Sequence, residues 1–107
     1  MNSAQLSGFV ATPPVVVDHK NNIYFMLKAR HPSSDKNPHV GFTYIPCGVF
    51  DATPQQREIL LGKNHTKLRI EACGKLEEIV MKDEQGRKNF NLGVLINPNG
   101  LMVRRVR

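Results

Sequence analysis

Aromatic and basic side chains alternate with apolar ones along the segment from Ile23 to Arg30. Because successive residues of a β-strand point to opposite faces, this alternation predicts a strand with one core face and one functional face. A ring that stacks on bases, beside cations that contact phosphates, is what a single-stranded nucleic acid needs. The alternative is that the two cations belong to the solvated face of an antiparallel strand. Ile23, Phe25, Leu27 and Ala29 share the apolar face, and Tyr24, Met26, Lys28 and Arg30 share the other.

The stretch from Thr43 to Leu76 shows the same alternation of core-facing and outward-facing residues on two further predicted strands. In the first, Tyr44, Pro46, Gly48 and Phe50 alternate with Ile45, Cys47 and Val49, and in the second, Lys67, Arg69 and Glu71 alternate with Leu68, Ile70 and Ala72. Tyr24, Tyr44 and Phe50 are therefore predicted to stack on bases, and Lys67 and Arg69 to join the basic contacts. Phe9, Phe25 and Phe90 are assigned mainly to the core or to an interface, and Phe42 is left unassigned.

A short helix is predicted between these two strands. Thr53 is a favourable N-cap, Pro54 suits the first helical position, and Gln56 stands where a capping box needs its partner. Gly62 follows Leu61 as a stop signal. The helix is expected to span about two turns.

The remaining predicted elements complete an all-β chain of five strands. The first is Ala4 to Val10, with a bend at Gly8 and a brief continuation at Val15 to Val17, and a turn at Asp18 to Asn22 follows it. A long strand from Thr66 to Met81 bends at Gly74, a hairpin connection from Lys82 to Asn89 has Gly86 at its tip, and the last strand, Phe90 to Ile96, stops at Asn97 to Gly100.

Three strands, a helix and two strands in a small basic domain follow the element order of the OB-fold, a five-stranded Greek-key barrel. Residues 1–100 are predicted to form this domain. Residues 101–107 are predicted to be a short basic C-terminal segment, either a further strand or a tail. The ligand face of such a barrel lies on its second and third strands, which are the strands that carry the rings and cations described above.

The excess of basic residues points toward a polyanionic partner. The chain has 107 residues, enough for one domain, and 15 Lys and Arg against 9 Asp and Glu give a net charge of +6. No apolar run is long enough to span a membrane, and no secretory signal begins the sequence, so a cytoplasmic location is expected. Cys47 and Cys73 are predicted to be buried reduced thiols. His31 and His39 fall in a polar loop from His31 to Gly41 without metal-ligand spacing, so no metal is predicted. The sequence also offers no Gly-rich phosphate loop and no Ser or Cys with a plausible His partner, so neither a cofactor nor catalysis is predicted.

The order and spacing of four segments resemble those of the bacterial and phage single-stranded-DNA-binding proteins. The segments are MNSAQLSGFV, TYIPCGVFDATPQQREILLGKN, KLRIEACGKL and KDEQGRKNFNLGVLI, and together they span nearly the whole chain. The resemblance implies an OB-fold that binds single-stranded DNA largely without sequence preference, in replication, recombination or repair. It also implies a homodimer or homotetramer assembled through the first strands, around Phe9 and Val15 to Val17.

Carried over by position, the base-stacking aromatics of this family fall at Tyr44 and Phe50. The phosphate contacts that the resemblance implies are Lys28, Arg30, Lys82, Arg87 and Lys88. The sequence has no Trp, and it ends in RRVR without the acidic tail that recruits replication proteins in cellular members. A specialised phage or plasmid relative, a primosome-type protein or a folded domain from a longer chain is therefore expected.

Two other interpretations remain open at the level of sequence. An OB domain can serve as a protein-interaction or primosome-type accessory subunit, in which Tyr44 and Phe50 would cover a partner protein. It can also bind RNA, because stacking alone does not distinguish ribose from deoxyribose.

Overall fold

Six strands and one short α-helix form the part of the chain that the computed structural model describes, namely residues 3–17, 22–30, 42–82 and 85–106. Of the side chains in these ranges, those of residues 17, 30, 81, 82 and 90 are not described. The predicted loop from His31 to Gly41 and most of the predicted turn from Asp18 to Asn22 lie outside the described residues. The elements are β1 (Ala4–Val10), β2 (Val15–Val17), β3 (Asn22–Arg30), β4 (Phe42–Val49), α1 (Pro54–Leu60), a 3-10 turn (His65–Lys67), β5 (Leu68–Lys82) and β6 (Lys88–Arg105).

Five of the strands close into a barrel. The sheet runs β1, β5, β6, β4, β3, and β3 returns to β1, while the short β2 pairs with β3 at an edge. β1 pairs with β5 from Ala4 to Phe9 and then with β3 at Phe9 and Val10. A Cβ at Gly8 would collide with the carbonyl oxygen of Lys28, so glycine allows β1 to bend onto β3. This closed barrel, with a helix between β4 and β5, confirms the predicted OB-fold.

The core follows the predicted alternation. Phe25 is 1% exposed, and its neighbours Tyr24 and Met26 point the other way. The core consists of one cluster, with members Val10, Ile23, Phe25, Leu27, Cys47, Val49, Ala52, Leu60, Leu68, Ile70, Ala72, Val94 and Ile96.

The two cysteines differ in environment. Cys47 is buried, and burial raises the pKa of its thiol to about 12 because the thiolate would lose its hydration. Cys73 is exposed, so the prediction that both thiols are buried is wrong for this residue. The reason is its parity. Ala72 points into the core, and Cys73 lies on the opposite face of β5, which also carries Arg69 and Glu71.

The capping signals of α1 are confirmed. Thr53 Oγ1 accepts a hydrogen bond from the Gln56 backbone N–H at 3.2 Å, and Gln56 Oε1 accepts from the Thr53 N–H at 3.0 Å. The Gln56 side-chain amide also donates to the Pro98 carbonyl at 2.8 Å, which ties the helix to β6. Leu60 anchors the helix in the core, and Leu61 is the C-cap directly before Gly62. Within the described residues, no helix is both long and apolar enough to cross a membrane.

The last strand does not stop at Asn97 to Gly100, contrary to the prediction. Gly74 pairs with Ile96 and Ala72 pairs with Leu101, so Cys73 alone stands opposite four residues of β6. These four turn-forming residues therefore make a large irregular bulge in β6. β6 then continues through this segment to Arg105, and Leu101 and Val103 pack against the core.

Candidate nucleic-acid interface

The outer face of the β3–β4 pair presents rings and a cation in adjacent positions. We define this surface, the β3–β4 face, by Tyr24, Met26, Lys28, Phe42, Tyr44, Pro46, Gly48 and Phe50. Lys28 pairs directly with Tyr44, and directly opposed residues of neighbouring strands share a face. Tyr44 is 56% exposed and Phe50 is 39% exposed. From Phe42 to Phe50 the face is about 26 Å long at the usual rise of about 3.3 Å per strand residue.

A glycine seats one of the rings on the barrel surface. Tyr24 pairs with Gly48, and a Cβ at Gly48 would lie only 2.7 Å from Tyr24 Cε1. The Tyr24 ring therefore lies across the backbone of β4, where it stacks against Phe50 with 6.2 Å between ring centroids and 21° between ring planes. Both residues belong to the sequence-predicted set, and the structure brings them together.

At the opposite end of the β3–β4 face, a cation covers an aromatic ring. The Lys28 ammonium lies 4.2 Å from the centroid of the Phe42 ring, within the range of a cation–π contact. Phe42 is 50% exposed and thus belongs to the candidate interface, although the sequence left it unassigned. Its parity with Tyr44 and Phe50 is the signal that could have placed it there.

A groove adjoins this end of the face and reaches across β1. Its volume is about 870 Å³, and it contains Phe9 and Arg69 besides Lys28, Phe42 and Tyr44. The Arg69 guanidinium carbon lies 6.0 Å from the Phe9 ring centroid, and Arg69 Nη2 donates to Ser7 Oγ at 3.4 Å. We call this the β1 groove, and its lining is Ser7, Gly8, Phe9, Val10, Ala11, Lys28, Phe42, Tyr44, Thr66 and Arg69.

Phe9 lies at the surface, which rules out the core half of its predicted assignment and leaves the interface half a prediction. It was assigned mainly to the core or to an interface, but its side chain is 37% exposed in the β1 groove. The signal was available, because Phe9 has the parity of the exposed residues Gln5 and Ser7 on β1.

The predicted basic contacts are distributed over the barrel. Arg69 lies in the β1 groove, and Lys67 is exposed in the 3-10 turn beside the groove residue Thr66. Arg87 and Lys88 are exposed at the tip of the β5–β6 hairpin, with the Arg87 guanidinium bound to Gln85 Oε1 at 2.5 Å. Val94 is the residue of β6 that pairs with Cys47 of β4, and Lys88 lies six residues from it. About 20 Å of strand therefore separates Lys88 from the point where β6 meets β4.

Several parts of the predicted set remain predictions. The side chains of Arg30 and Lys82 lie outside the described residues. At the tip of the hairpin, Gly86 has a φ of 80°, in the left-handed region that glycine favours, as its predicted place in the turn requires.

A closed five-stranded barrel with a helix between β4 and β5 is an OB-fold, and aromatic and basic side chains lie on its β3–β4 face. Two solved structures have this fold over nearly the whole length of both chains. The Plasmodium falciparum SSB in complex with ssDNA is 16% identical, with a TM-score of 0.62 and coverage of 100% of this chain and 96% of that chain. The mitochondrial single-stranded DNA binding protein from S. cerevisiae is 10% identical, with a TM-score of 0.57 and coverage of 96% and 94%.

The sequence-predicted resemblance to single-stranded-DNA-binding proteins is thus confirmed at the level of the fold. No family model and no curated protein matches the sequence. The function must accordingly be argued from the surface itself.

Proposed function

We propose that the protein binds single-stranded DNA on the β3–β4 face, largely without sequence preference. The observation that carries the proposal is the row of exposed rings on this face, Phe42, Tyr44 and Phe50, with Lys28 among them. Each ring offers a π-face to any base, and the cation offers a charge to the phosphates. Single strands arise in replication, recombination and repair, including those of phages and plasmids, and we expect the protein to act in such a process.

The cation among the rings favours a nucleic acid over a protein partner. Charged residues are depleted in the buried centres of protein interfaces, because each buried charge has to be desolvated. Lys28 stands between Phe42 and Tyr44, where a protein partner would bury it. A polyanionic strand, by contrast, supplies a phosphate for the ammonium and bases for the rings. The net charge of +6 acts in the same direction.

A titration of fluorescently labelled oligo-dT of a few tens of nucleotides tests the proposal. We expect binding in low salt that weakens steeply in high salt, since each phosphate contact on a single strand adds about −0.7 to the slope of log affinity against log salt. Mixed-sequence oligonucleotides should bind with affinities close to that of oligo-dT. Absence of binding at micromolar protein in low salt would refute the proposal.

One double variant and one further oligonucleotide separate this function from the alternatives. Changing Tyr44 and Phe50 together to Ala should abolish oligonucleotide binding without changing the oligomeric state. If the double variant instead keeps oligonucleotide binding and loses assembly, the rings serve a protein interface. A parallel titration with oligo-U decides between DNA and RNA, and tighter binding of oligo-U would assign the face to RNA.

We also propose that the chain forms a homodimer or homotetramer. The supporting observation is β2, which among the described residues pairs with β3 and no other strand, and on which Val15 is 51% and Val16 is 40% exposed. An exposed apolar edge gains from pairing with another strand. Light scattering with and without oligonucleotide should give a mass of two or four chains, and a single-chain mass in both conditions would refute this proposal.

A further inference from the structure

We propose that the β1 groove is a second nucleotide subsite, which carries a bound single strand from the β3–β4 face across β1 toward β5 and β6. Phe9 and Phe42 would stack on bases there, and Lys28, Arg69 and Arg104 would contact phosphates. This inference rests on the proposed function, because it extends the path of the same strand.

The groove has the composition of a nucleotide site. Its volume of about 870 Å³ lies within the roughly 300–1,000 Å³ typical of ligand pockets. Two partly exposed phenyl rings, Phe9 and Phe42, line it, and a basic side chain approaches each ring. The groove is also continuous with the β3–β4 face, because Lys28, Phe42 and Tyr44 belong to both.

The Lys28 ammonium has to leave the Phe42 ring before a base can stack there. With the Lys28 ammonium 4.2 Å from the ring centroid, a base can stack on that face of the ring only if the ammonium moves away. An exposed cation–π contact is weaker than a base–aromatic stack, and a flexible lysine stem can bring the ammonium to a phosphate of the same nucleotide. Lys28 would therefore cover the ring in the free protein and hold a phosphate in the complex.

A pair of opposed arginines indicates where the strand continues beyond the groove. Arg69 on β5 pairs directly with Arg104 on β6, so both side chains extend from the same face of the sheet. Like charges directly opposite each other on neighbouring strands are destabilising. Glu71 lies 4.0 Å from Arg69 Nε and balances part of this charge. A phosphate near the two guanidinium groups would relieve the rest.

The other end of the β3–β4 face is less suited to phosphates. A groove of about 540 Å³ adjoins Phe50, and its charged lining residues are Asp51 and Glu77 besides Lys75. The two carboxylates would repel a phosphate. The charge distribution of the described residues thus favours extension of the strand past Phe42 over extension past Phe50.

Ring substitutions and a fluorescence reporter test the subsite. Phe9→Leu and Phe42→Leu should each weaken binding of a labelled dT oligomer of about 16 nucleotides by about 5- to 150-fold, the range for loss of one base stack. Ile59→Ala, on α1 and outside the groove, is the control and should bind as the wild type does. Because the chain has no Trp, Phe42→Trp introduces a single tryptophan. We expect an unlabelled oligonucleotide to quench its fluorescence, whereas the tryptophan fluorescence of Ile59→Trp should not change.

The basic end of the path has its own measurement. Arg104→Gln should make the negative slope of log affinity against log salt shallower by about 0.7, as expected for one phosphate contact fewer. Lys63→Gln should leave the slope unchanged. Thermal melting of each variant shows whether it folds. If Phe9→Leu does not fold, the Arg104→Gln salt slope decides, because Arg104 lies outside the β3–β4 face.

The outcomes distinguish the two proposals. If the wild type does not bind oligonucleotides, the proposed function itself is wrong. If the wild type binds, but Phe9→Leu keeps full affinity and Arg104→Gln keeps the wild-type salt slope, the β1 groove is not part of the path and only the present inference is overturned. The Phe42 variants report on the β3–β4 face and the groove together, because Phe42 belongs to both.

Discussion

The substitution Gly48→Ala should weaken DNA binding without removing any aromatic side chain. The new Cβ would lie 2.7 Å from Tyr24 Cε1 and 3.0 Å from Tyr24 Cδ1, whereas ordinary contact begins at 3.4 Å, so the ring has to retreat by about 0.7 Å. That movement takes the ring off the β4 backbone and disturbs its stack against Phe50. We expect the loss of up to one base stack, about 1–3 kcal/mol, or about 5- to 150-fold in affinity.

The same substitution should hardly change the stability of the fold. The obstructing atoms belong to a partly exposed ring that can rotate, and alanine costs about 0.5–1 kcal/mol less backbone entropy on folding than glycine. Gly74→Ala provides the contrast, because its Cβ would collide with the carbonyl oxygen of Leu95, which is backbone and cannot move away. We expect the free energy of unfolding to change by less than about 1 kcal/mol for Gly48→Ala and to fall by about 1–3 kcal/mol for Gly74→Ala.

A double-mutant cycle with Tyr24→Leu identifies the route of the effect. Anisotropy of a labelled oligo-dT reports affinity, and urea unfolding reports stability. If the Tyr24 ring transmits the change, Gly48→Ala should have almost no further effect once the ring is gone. Wild-type affinity in Gly48→Ala, or an equal loss in the Tyr24→Leu background, would refute the reasoning.

Four further predictions concern the barrel, its helix and its cysteines. Thr53→Ala removes the capping box and should lower the free energy of unfolding in urea by about 0.5–2 kcal/mol, whereas Thr53→Ser should restore most of it. Leu60→Ala empties a fully buried site and should cost about 2–5 kcal/mol in the same assay, and a loss below 1 kcal/mol would show that α1 is not anchored there. At pH 8, a thiol reagent should modify exposed Cys73 in the folded protein and reach Cys47 only on unfolding. Because burial raises the Cys47 pKa from 9.0 to about 12, the folded state keeps this proton while the unfolded state loses it. Stability should therefore fall by up to about 1.4 kcal/mol per unit as the pH rises from 9 to 12, and Cys47→Ala should lack this component.

Local signals were sufficient to predict the barrel. The two-residue period of Ile23, Phe25 and Leu27 identified the core face of β3, and the residues around Thr53 identified the start of α1. These signals are physical properties of neighbouring residues along the chain, so one sequence is enough to reveal them. They also placed Tyr24 correctly on the outer face.

Features that depend on contacts between distant segments were not predictable in the same way. Asn97 to Gly100 have the composition of a terminating turn, but β5 holds both flanks of the bulge, and β6 resumes at Leu101. Pairing across the sheet thus overrode a local turn signal. The partnership of Lys28 with the Phe42 ring likewise depends on strand register, which the local pattern does not give.

Pro46 and Gly48 show how position within the sheet changes the meaning of a residue type. On the sequence, they interrupt a row of rings between Tyr44 and Phe50 and offer no side chain for binding. In the barrel, Gly48 is buried because the Tyr24 ring from β3 lies over it. Position 48 of β4 has no ring of its own, and Tyr24 of the neighbouring strand places one there. A larger residue at position 48 would displace that ring and raise an obstacle between the two ends of the face. Under the proposed function, successive bases stack along this face, and Gly48 leaves room for the Tyr24 ring between Tyr44 and Phe50.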